Sequence, residues 1–304
     1  MAGPFTHMLI CEAASDPSIA KTFDVTLPPQ FRQILAANHC YLLLGSVSPD
    51  LPAIADVLGG SNWSDRMHNG NLNRVPVQIF NELKATGCRD ARLAWLFGYV
   101  GHIIADVVVH PVVRLAITRR GGANVHRRCE ITQDSLLFRD IKTYDLTVAD
   151  FFGSLKECRS DPNKKIFEDA MALWAKCLNS CGASFHGNCA DWYTSYVTTV
   201  EFATELPRLI FYNTIYPSAD SISQEDRRDF YDDVILPVPE NEHGAFRSGV
   251  FDLAVRRLVP IWKQMWDCLV TPDTSGIGPL IQDWDLNSGA NRTTNTNYDL
   301  WVKP

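Results

Sequence analysis

Apolar residues recur at helical spacing along most of the chain. The run from Leu93 to Val113 is apolar almost throughout and predicts a buried central helix over residues 90–118. Neither a sustained strand-like alternation nor an internal repeat occurs in the sequence. The pattern therefore predicts an all-α protein, built as a compact multi-helix bundle. The other predicted helices cover residues 3–15, 28–45, 75–85, 148–155, 165–178, 192–212, 224–235 and 245–269.

Three polar side chains interrupt the central apolar run at intervals of four residues. His102, Asp106 and His110 advance by about 40° per step on an α-helix, so they share one face. Burying a carboxylate between two imidazoles is costly unless each group has a partner, and a bound cation would satisfy all three. The alternative is a core helix whose histidines make ordinary hydrogen bonds. Three groups in register favour a functional site.

The same run, at about 21 residues, is long enough to span a bilayer. However, its three polar groups lie at and beyond its middle, where a charged group is expensive in a membrane, and Pro111 also interrupts it. We found no other segment with the length and composition of a span. We therefore interpret the run as the core helix of a bundle and predict no transmembrane segment.

Further metal-binding residue types lie on both sides of the central run. Asp50 stands between two prolines, which hold its backbone extended. His68 lies in a stretch rich in Gly, Ser and Asn that is typical of a functional loop. Nitrogen and oxygen ligands without cysteine suit a catalytic zinc site, although other divalent metals take the same ligands. In chain order the candidate ligands are His7, Asp50, His68, His102, Asp106, His110, His126 and Glu130.

Composition and charge limit the size class and the partners. The 304 residues, of which 46% are hydrophobic, are enough for a large core. We expect one domain over residues 1–270 and a polar, turn-rich, irregular tail over residues 271–304. The net charge of −7 disfavours a long nucleic acid as a partner, because it provides no basic field for a phosphate backbone. The sequence leaves the oligomeric state open.

The cysteines and the first residues bear on the cellular compartment. Nine cysteines, an odd number, are scattered without a CxxC pair, which is typical of free thiols in a reducing compartment. The N-terminus has no basic flank followed by an apolar core and a cleavage site, so we expect no secretory signal. Both patterns predict a cytoplasmic protein.

Five short motifs occur in a fixed order over roughly the first 135 residues. They are Thr6-His7, Ser48-Pro-Asp50, Trp63-Ser-Asp-Arg-Met-His68, His102-Ile-Ile-Ala-Asp106 and His126-Arg-Arg-Cys-Glu130. The ordered set resembles the zinc-dependent phospholipase C family, whose superfamily also contains zinc-dependent single-strand nucleases and the amino-terminal domain of glycosylphosphatidylinositol-specific phospholipase D. The resemblance implies a mostly α-helical fold, a cluster of two or three zinc ions, and hydrolysis of a phosphoester.

The resemblance also implies a role for each candidate ligand. His7 would bind one zinc ion together with the amino group of Ala2, which removal of the initiator methionine would expose. Asp106 would bridge neighbouring ions, and Asp50 would also take a proton from the attacking water. The resemblance implies two further ligand groups. A close pair of ions would be held by Asp50, His68, His102 and Asp106, and a third ion by His110, His126 and Glu130.

Three functions from different classes are compatible with these residues. We favour a zinc-dependent hydrolase that cleaves a phosphoester of a small molecule or a lipid by attack of a metal-activated water. The second is a biosynthetic hydrolase that uses the same metal scaffold against a non-phosphate bond of a specialised metabolite. The third is a non-enzymatic helical binding protein, whose site would be closed to exchangeable water.

Overall fold

The computed structural model describes the chain as a bundle of α-helices. It covers residues 3–53, 62–69, 71–122, 124–147, 149–205, 216–238, 242–271 and 276–302. In these ranges the strands are two antiparallel pairs of two residues each, so the all-α prediction is confirmed.

The helices and strands are numbered in chain order. The α-helices are α1 Pro4–Ser15, α2 Pro17–Thr22, α3 Pro29–Ala37, α4 His39–Val47, α5 Trp63–Asn69, α6 Val75–Ala85, α7 Ala91–Arg120, α8 Val125–Lys142, α9 Ala149–Glu157, α10 Lys164–Ser180, α11 Cys189–Glu205, α12 Gln224–Arg227, α13 Asp252–Val270 and α14 Asp299–Val302. The strands are β1 Val234–Ile235, β2 His243–Gly244, β3 Trp284–Asp285 and β4 Ala290–Asn291. Shorter 3-10 turns are Ser48–Asp50, Asn71–Arg74 and Ala219–Ser221, and π-helical turns are Arg228–Asp232 and Phe246–Phe251.

Helix α7 forms the centre of the bundle. Its start is capped by Asp90, whose carboxylate accepts a hydrogen bond from the Arg92 backbone N–H at 2.9 Å. Its 30 residues end at Gly121, whose φ of 64° favours glycine. In the described ranges α7 is the one helix long and apolar enough to span a membrane, but 83% of its apolar window is buried inside the protein. That burial is the behaviour of a core helix.

Helices α1, α4, α6, α8 and α13 pack against α7. At a close approach of α4, a Cβ on Gly98 would lie 2.0 Å from the Leu42 carbonyl oxygen, and one on Gly45 would lie 2.0 Å from the Trp95 carbonyl oxygen. Larger side chains at these two points would force the helices apart. The contact places the 3-10 turn that follows α4 next to the polar face of α7. This turn carries Asp50, so the predicted extended backbone at Asp50 is wrong.

The prediction of one helix over residues 28–45 is wrong, because Asn38 divides this segment into α3 and α4. Asn38 has a φ of −126° and a ψ of 38°, and its side-chain Nδ2 donates a hydrogen bond to the Ile34 carbonyl oxygen at 2.8 Å. The side chain thus competes with the helical backbone and ends α3.

Two later predicted helices also differ from the structure. The segment 224–235 is α-helical only over α12, and then continues as a π-helical turn and β1. The segment 245–269 begins with a π-helical turn before α13. The predicted helix over 192–212 agrees with α11 as far as residue 205, and its last residues lie outside the described ranges.

The C-terminal segment consists mainly of turns, together with β3, β4 and α14. It packs against the body of the protein: the Trp301 indole N–H donates to the Val108 carbonyl oxygen of α7 at 2.9 Å. The Leu286 backbone N–H donates to the His68 carbonyl oxygen at 3.1 Å. The segment therefore lies beside predicted ligands, and a single domain over residues 1–270 stays a prediction.

We expect Gly98→Ala to reduce the free energy of unfolding by on the order of 3 kcal/mol, because the added Cβ overlaps the Leu42 carbonyl oxygen. Urea denaturation would measure the loss. Gly153→Ala in α9 is the matched control, because no described atom lies within 4 Å of its Cβ. The control should be slightly stabilising through helix propensity. Equal effects of the two substitutions would contradict the close contact between α4 and α7.

Candidate metal centre

The described part of the chain contains eight of the nine predicted ligands, and the structure brings all eight into one continuous cluster. Ala2 lies outside the described residues, so its role as an amino-group ligand stays a prediction. The cluster is built from five elements. They contribute His7 from α1, Asp50 from the turn after α4, His68 from α5, His102, Asp106 and His110 from α7, and His126 and Glu130 from α8.

Asp106 is the centre of this cluster and is fully buried. Its Oδ1 lies 3.2 Å from Nε2 of His7 and 3.3 Å from Nε2 of His110. Its Oδ2 lies 3.1 Å from Nε2 of His102 and 3.3 Å from Nε2 of His68. A carboxylate oxygen and an unprotonated Nε2 are both acceptors, so protons or a cation must lie between them.

Three groups of side chains are close enough to hold an ion, each with its ligand atoms within 4.8 Å of one another. The groups are His7, His102 and Asp106; Asp50, His68 and His102; and His110, His126 and Glu130. The first two groups share His102, so they describe two adjacent positions. The third contains the one exposed member of the described cluster, His126, whose side chain is 47% exposed.

Backbone carbonyl oxygens hold the Nδ1 atom of three of the histidines. The pairs are His68 with Ser64 at 2.7 Å, His102 with Ser46 at 2.9 Å, and His110 with Leu286. Because a carbonyl oxygen only accepts, Nδ1 donates, and a neutral ring leaves its lone pair on Nε2, facing the cluster. Metal-binding histidines are oriented in this way. No sequence pattern reveals these acceptors, because every residue carries a carbonyl group.

The buried donor atoms of the cluster fit a metal ion. Within the described ranges, Nε2 of His7 and Nε2 of His110 are buried and make no hydrogen bond. Buried polar atoms without a hydrogen bond are costly, and a cation bound in each of their two groups would satisfy these nitrogens. Imidazole nitrogens together with carboxylate oxygens are ligands that zinc prefers. The residues present therefore suit zinc.

The electrostatic environment differs between the histidines. Burial lowers the pKa of His110 to about 3 in spite of the nearby Asp106, so the ring is neutral at neutral pH. Burial also opposes the charged form of His68, but its contacts with Asp106 and Asp50 outweigh this effect and raise its pKa to about 10. A zinc ion that binds His68 must therefore displace a proton. Burial favours the neutral form of Asp50, yet the charges of His102 and His68 lower its pKa to about 2.

Asp134 is a fully buried carboxylate beside the cluster that the sequence analysis missed as a site residue. It lies on α8, one turn after Glu130, and accepts hydrogen bonds from the Thr6 backbone N–H and hydroxyl, both at 2.7 Å. Burial raises its pKa to about 7, although the hydrogen bonds from Thr6 oppose the shift. A sequence signal existed, because Glu130 and Asp134 repeat the spacing of four that relates His126 to Glu130.

We expect Asp106→Asn to lower the zinc content by at least one ion per chain, because this carboxylate faces the Nε2 atoms of four histidines. The measurement is elemental analysis of protein purified without a histidine tag or added metal, with the intact mass read on the same sample. Asp65→Asn, at an exposed position of α5, is the matched control and should keep the wild-type zinc content. A full complement of zinc in the Asp106 variant would exclude a bridging role.

We expect the stability of the zinc-free protein to depend on the ionisation of Asp134. Its folded pKa of about 7 lies above the unfolded value, so the folded state binds the proton more tightly. The contribution of Asp134 to the free energy of unfolding is complete below about pH 4. It is lost as the pH rises through 7, and the total loss is on the order of 4 kcal/mol.

Urea denaturation of the wild-type protein and of Asp134→Asn at about pH 5 and about pH 8 tests this linkage. The wild-type protein should lose stability relative to the variant at the higher pH, since asparagine does not ionise. The same stability difference at both values would show that Asp134 keeps an ordinary pKa.

Comparison with protein families shows that most of the chain matches one family. The family described as zinc dependent phospholipase C matches residues 6–197, which is more than half of the 304 residues and includes all eight described ligands. The comparisons found no matching curated protein and no matching solved structure. The matched range and the ligand cluster lead to one conclusion: the chain belongs to the zinc-dependent phospholipase C family.

Proposed function

We propose that this zinc-dependent hydrolase cleaves a phosphoester and uses two or three zinc ions held by the cluster around Asp106. The observation that carries the proposal is the geometry of that carboxylate, whose two oxygens each lie 3.1 to 3.3 Å from two imidazole Nε2 atoms. Asp106 and the histidines around it would hold neighbouring ions, and such a pair would stabilise both the attacking and the leaving oxygen of an in-line displacement at phosphorus.

The charge of the cluster supports a phosphate substrate. Its three carboxylates, those of Asp50, Asp106 and Glu130, sum to about −3, so two Zn²⁺ ions would leave about +1 and three would leave about +3. This positive charge would lie in a buried site, where electrostatic attraction is stronger than in water. The chain as a whole carries a net charge of −7, so the metals supply the positive field that the overall charge lacks.

When bound, zinc supplies an acidified water, with a pKa of about 7, and stabilises the negative charge that develops on the phosphate oxygens. The side chains of the protein would hold and orient the water and the phosphate. Asp50 is the candidate to accept the proton of the water, the role that the family resemblance implies for it. Its side chain is 10% exposed, whereas that of Asp106 is fully buried, so Asp50 lies closer to arriving solvent.

Access to the centre is suggested by the exposure of its ligands. His126 is half-exposed, while His7, His102 and His110 are buried among the helices. We therefore propose that the substrate reaches the centre where its ligands meet solvent, at His126 and at Asp50. A phosphoester of a small molecule or of a lipid remains our proposed substrate, and a cytoplasmic location stays a prediction.

The test is a substrate panel on the zinc-loaded protein. It should contain a phosphomonoester, a phosphodiester and a short-chain phospholipid, together with a carboxylic ester and an amide. We expect turnover of at least one phosphoester and none of the carboxylic ester or the amide. The reverse result would favour the biosynthetic hydrolase. Tightly held zinc with no turnover of any compound would favour a binding protein.

Substitution of Asp50 assigns any observed turnover to the centre. We expect Asp50→Asn to lower kcat by roughly 10²- to 10⁴-fold, because the amide cannot take a proton from the water. Asp65→Asn, on the exposed side of α5, should retain the wild-type rate. Full activity in the Asp50 variant would exclude Asp50 as the proton acceptor.

A further inference from the structure

Helix α1 begins without a capping side chain of its own. Gly3 occupies its N-cap position and provides no side-chain hydrogen bond, although the first backbone N–H groups of a helix need acceptors. Asp134 of α8 provides them from outside the helix. Its Oδ1 accepts from the Thr6 N–H at 2.7 Å, and its Oδ2 lies 3.4 Å from the Phe5 N–H. The start of α1 is therefore capped by a different helix.

The glycine at position 3 is matched to this cap. A Cβ built on Gly3 would lie 2.2 Å from Oδ2 of Asp134, which is closer than any side chain tolerates. The remaining contacts of the carboxylate also come from donors: the Thr6 hydroxyl donates to Oδ1 at 2.7 Å, and the Tyr216 hydroxyl lies 3.4 Å from Oδ2. Asp134 thus holds the first turn of α1 at a defined distance from α8.

His7 depends on this anchor more than the other histidines do. Carbonyl oxygens hold Nδ1 of His68, His102 and His110, whereas in the described ranges Nδ1 of His7 is buried and makes no hydrogen bond. The His7 ring stacks on His102 with centroids 4.0 Å apart and an interplanar angle of 14°. Its Nε2 lies 3.2 Å from Oδ1 of Asp106, and with no hydrogen bond at Nδ1 the placement of the ring depends on the backbone of α1.

We propose that Asp134 is a positioning residue of the metal centre, which fixes His7 by capping α1 from α8. The carboxylate holds the backbone N–H of Thr6, and His7 is the next residue along the helix. The same helix, α8, carries the ligand Glu130 one turn before Asp134. One element therefore sets the spacing between the His7 group and the group of His110, His126 and Glu130. The inference rests on the proposed zinc centre, but not on the identity of its substrate.

The test compares Asp134→Leu with Asp134→Asn. Leucine removes both acceptor oxygens, and we expect zinc affinity, measured by competition with a chelator, to fall by roughly 10- to 100-fold. Asparagine keeps one carbonyl oxygen for Thr6 and should restore most of the affinity. Asp140→Leu is the matched control. Asp140 lies on the same helix as Asp134, but it accepts a hydrogen bond from the Tyr231 hydroxyl and not from α1. Its zinc affinity should equal that of the wild-type protein.

Cobalt substitution separates positioning from a general loss of stability. The visible absorption of bound Co²⁺ reports ligand geometry in the folded protein, and we expect it to change in Asp134→Leu and to return in Asp134→Asn. If Asp134→Leu does not fold, Thr6→Val takes its place, because it removes one donor to the same carboxylate. This milder change should weaken zinc binding a few-fold and alter the cobalt spectrum in the same direction.

Wild-type zinc affinity and an unchanged cobalt spectrum in folded Asp134→Leu, or in Thr6→Val if the leucine variant does not fold, would overturn the positioning role. So would an equal loss in Asp140→Leu. These measurements need no substrate. A protein that binds zinc as expected but hydrolyses no phosphoester would contradict the proposed function and leave this inference standing.

Discussion

A carboxylate buried among imidazoles must be balanced by positive charge, and this requirement at Asp106 connects the separate parts of the structure. The residue lies in the middle of α7, the central helix of the described bundle, where it is fully buried and water cannot solvate its charge. Histidines from α1, α5 and α7 itself converge on its two oxygens. The close packing of α4 on α7 brings Asp50 to the same place. The packing of the helices therefore brings together the side chains that balance the charge of Asp106.

The rings around Asp106 are held by backbone carbonyl groups, one from the preceding turn of the same helix and two from distant segments. Ser46 and Ser64 provide carbonyl acceptors for His102 and His68, and Leu286 provides the one for His110. Leu286 lies beyond residues 6–197, the range that matches the family. The C-terminal segment thus contributes to the orientation of a ligand that is 176 residues earlier in the chain. A metal centre built this way depends on the whole described bundle and not only on the helices that carry its ligands.

His7 is held differently, and the difference explains two residues that otherwise have no evident purpose near the site. Its ring is stacked and its Nδ1 makes no hydrogen bond in the described ranges, so the position of the ring depends on the backbone of α1. Gly3 allows the approach of Asp134, and Asp134 supplies the hydrogen-bond acceptors. The buried Asp134 has a raised pKa as a consequence of this position.

The amino-acid sequence by itself determined the helical class and the ordered series of ligand candidates. Both follow from local geometry: a spacing of four places His102, Asp106 and His110 on one face of a helix wherever that helix lies. Only the tertiary structure decided the cap that Asp134 gives to α1 and the carbonyl acceptors of His102 and His110. These features depend on backbone groups, which every residue carries, and on which segments approach one another. Local periodicity contains neither kind of information, because it describes neighbours along the chain and not contacts across it.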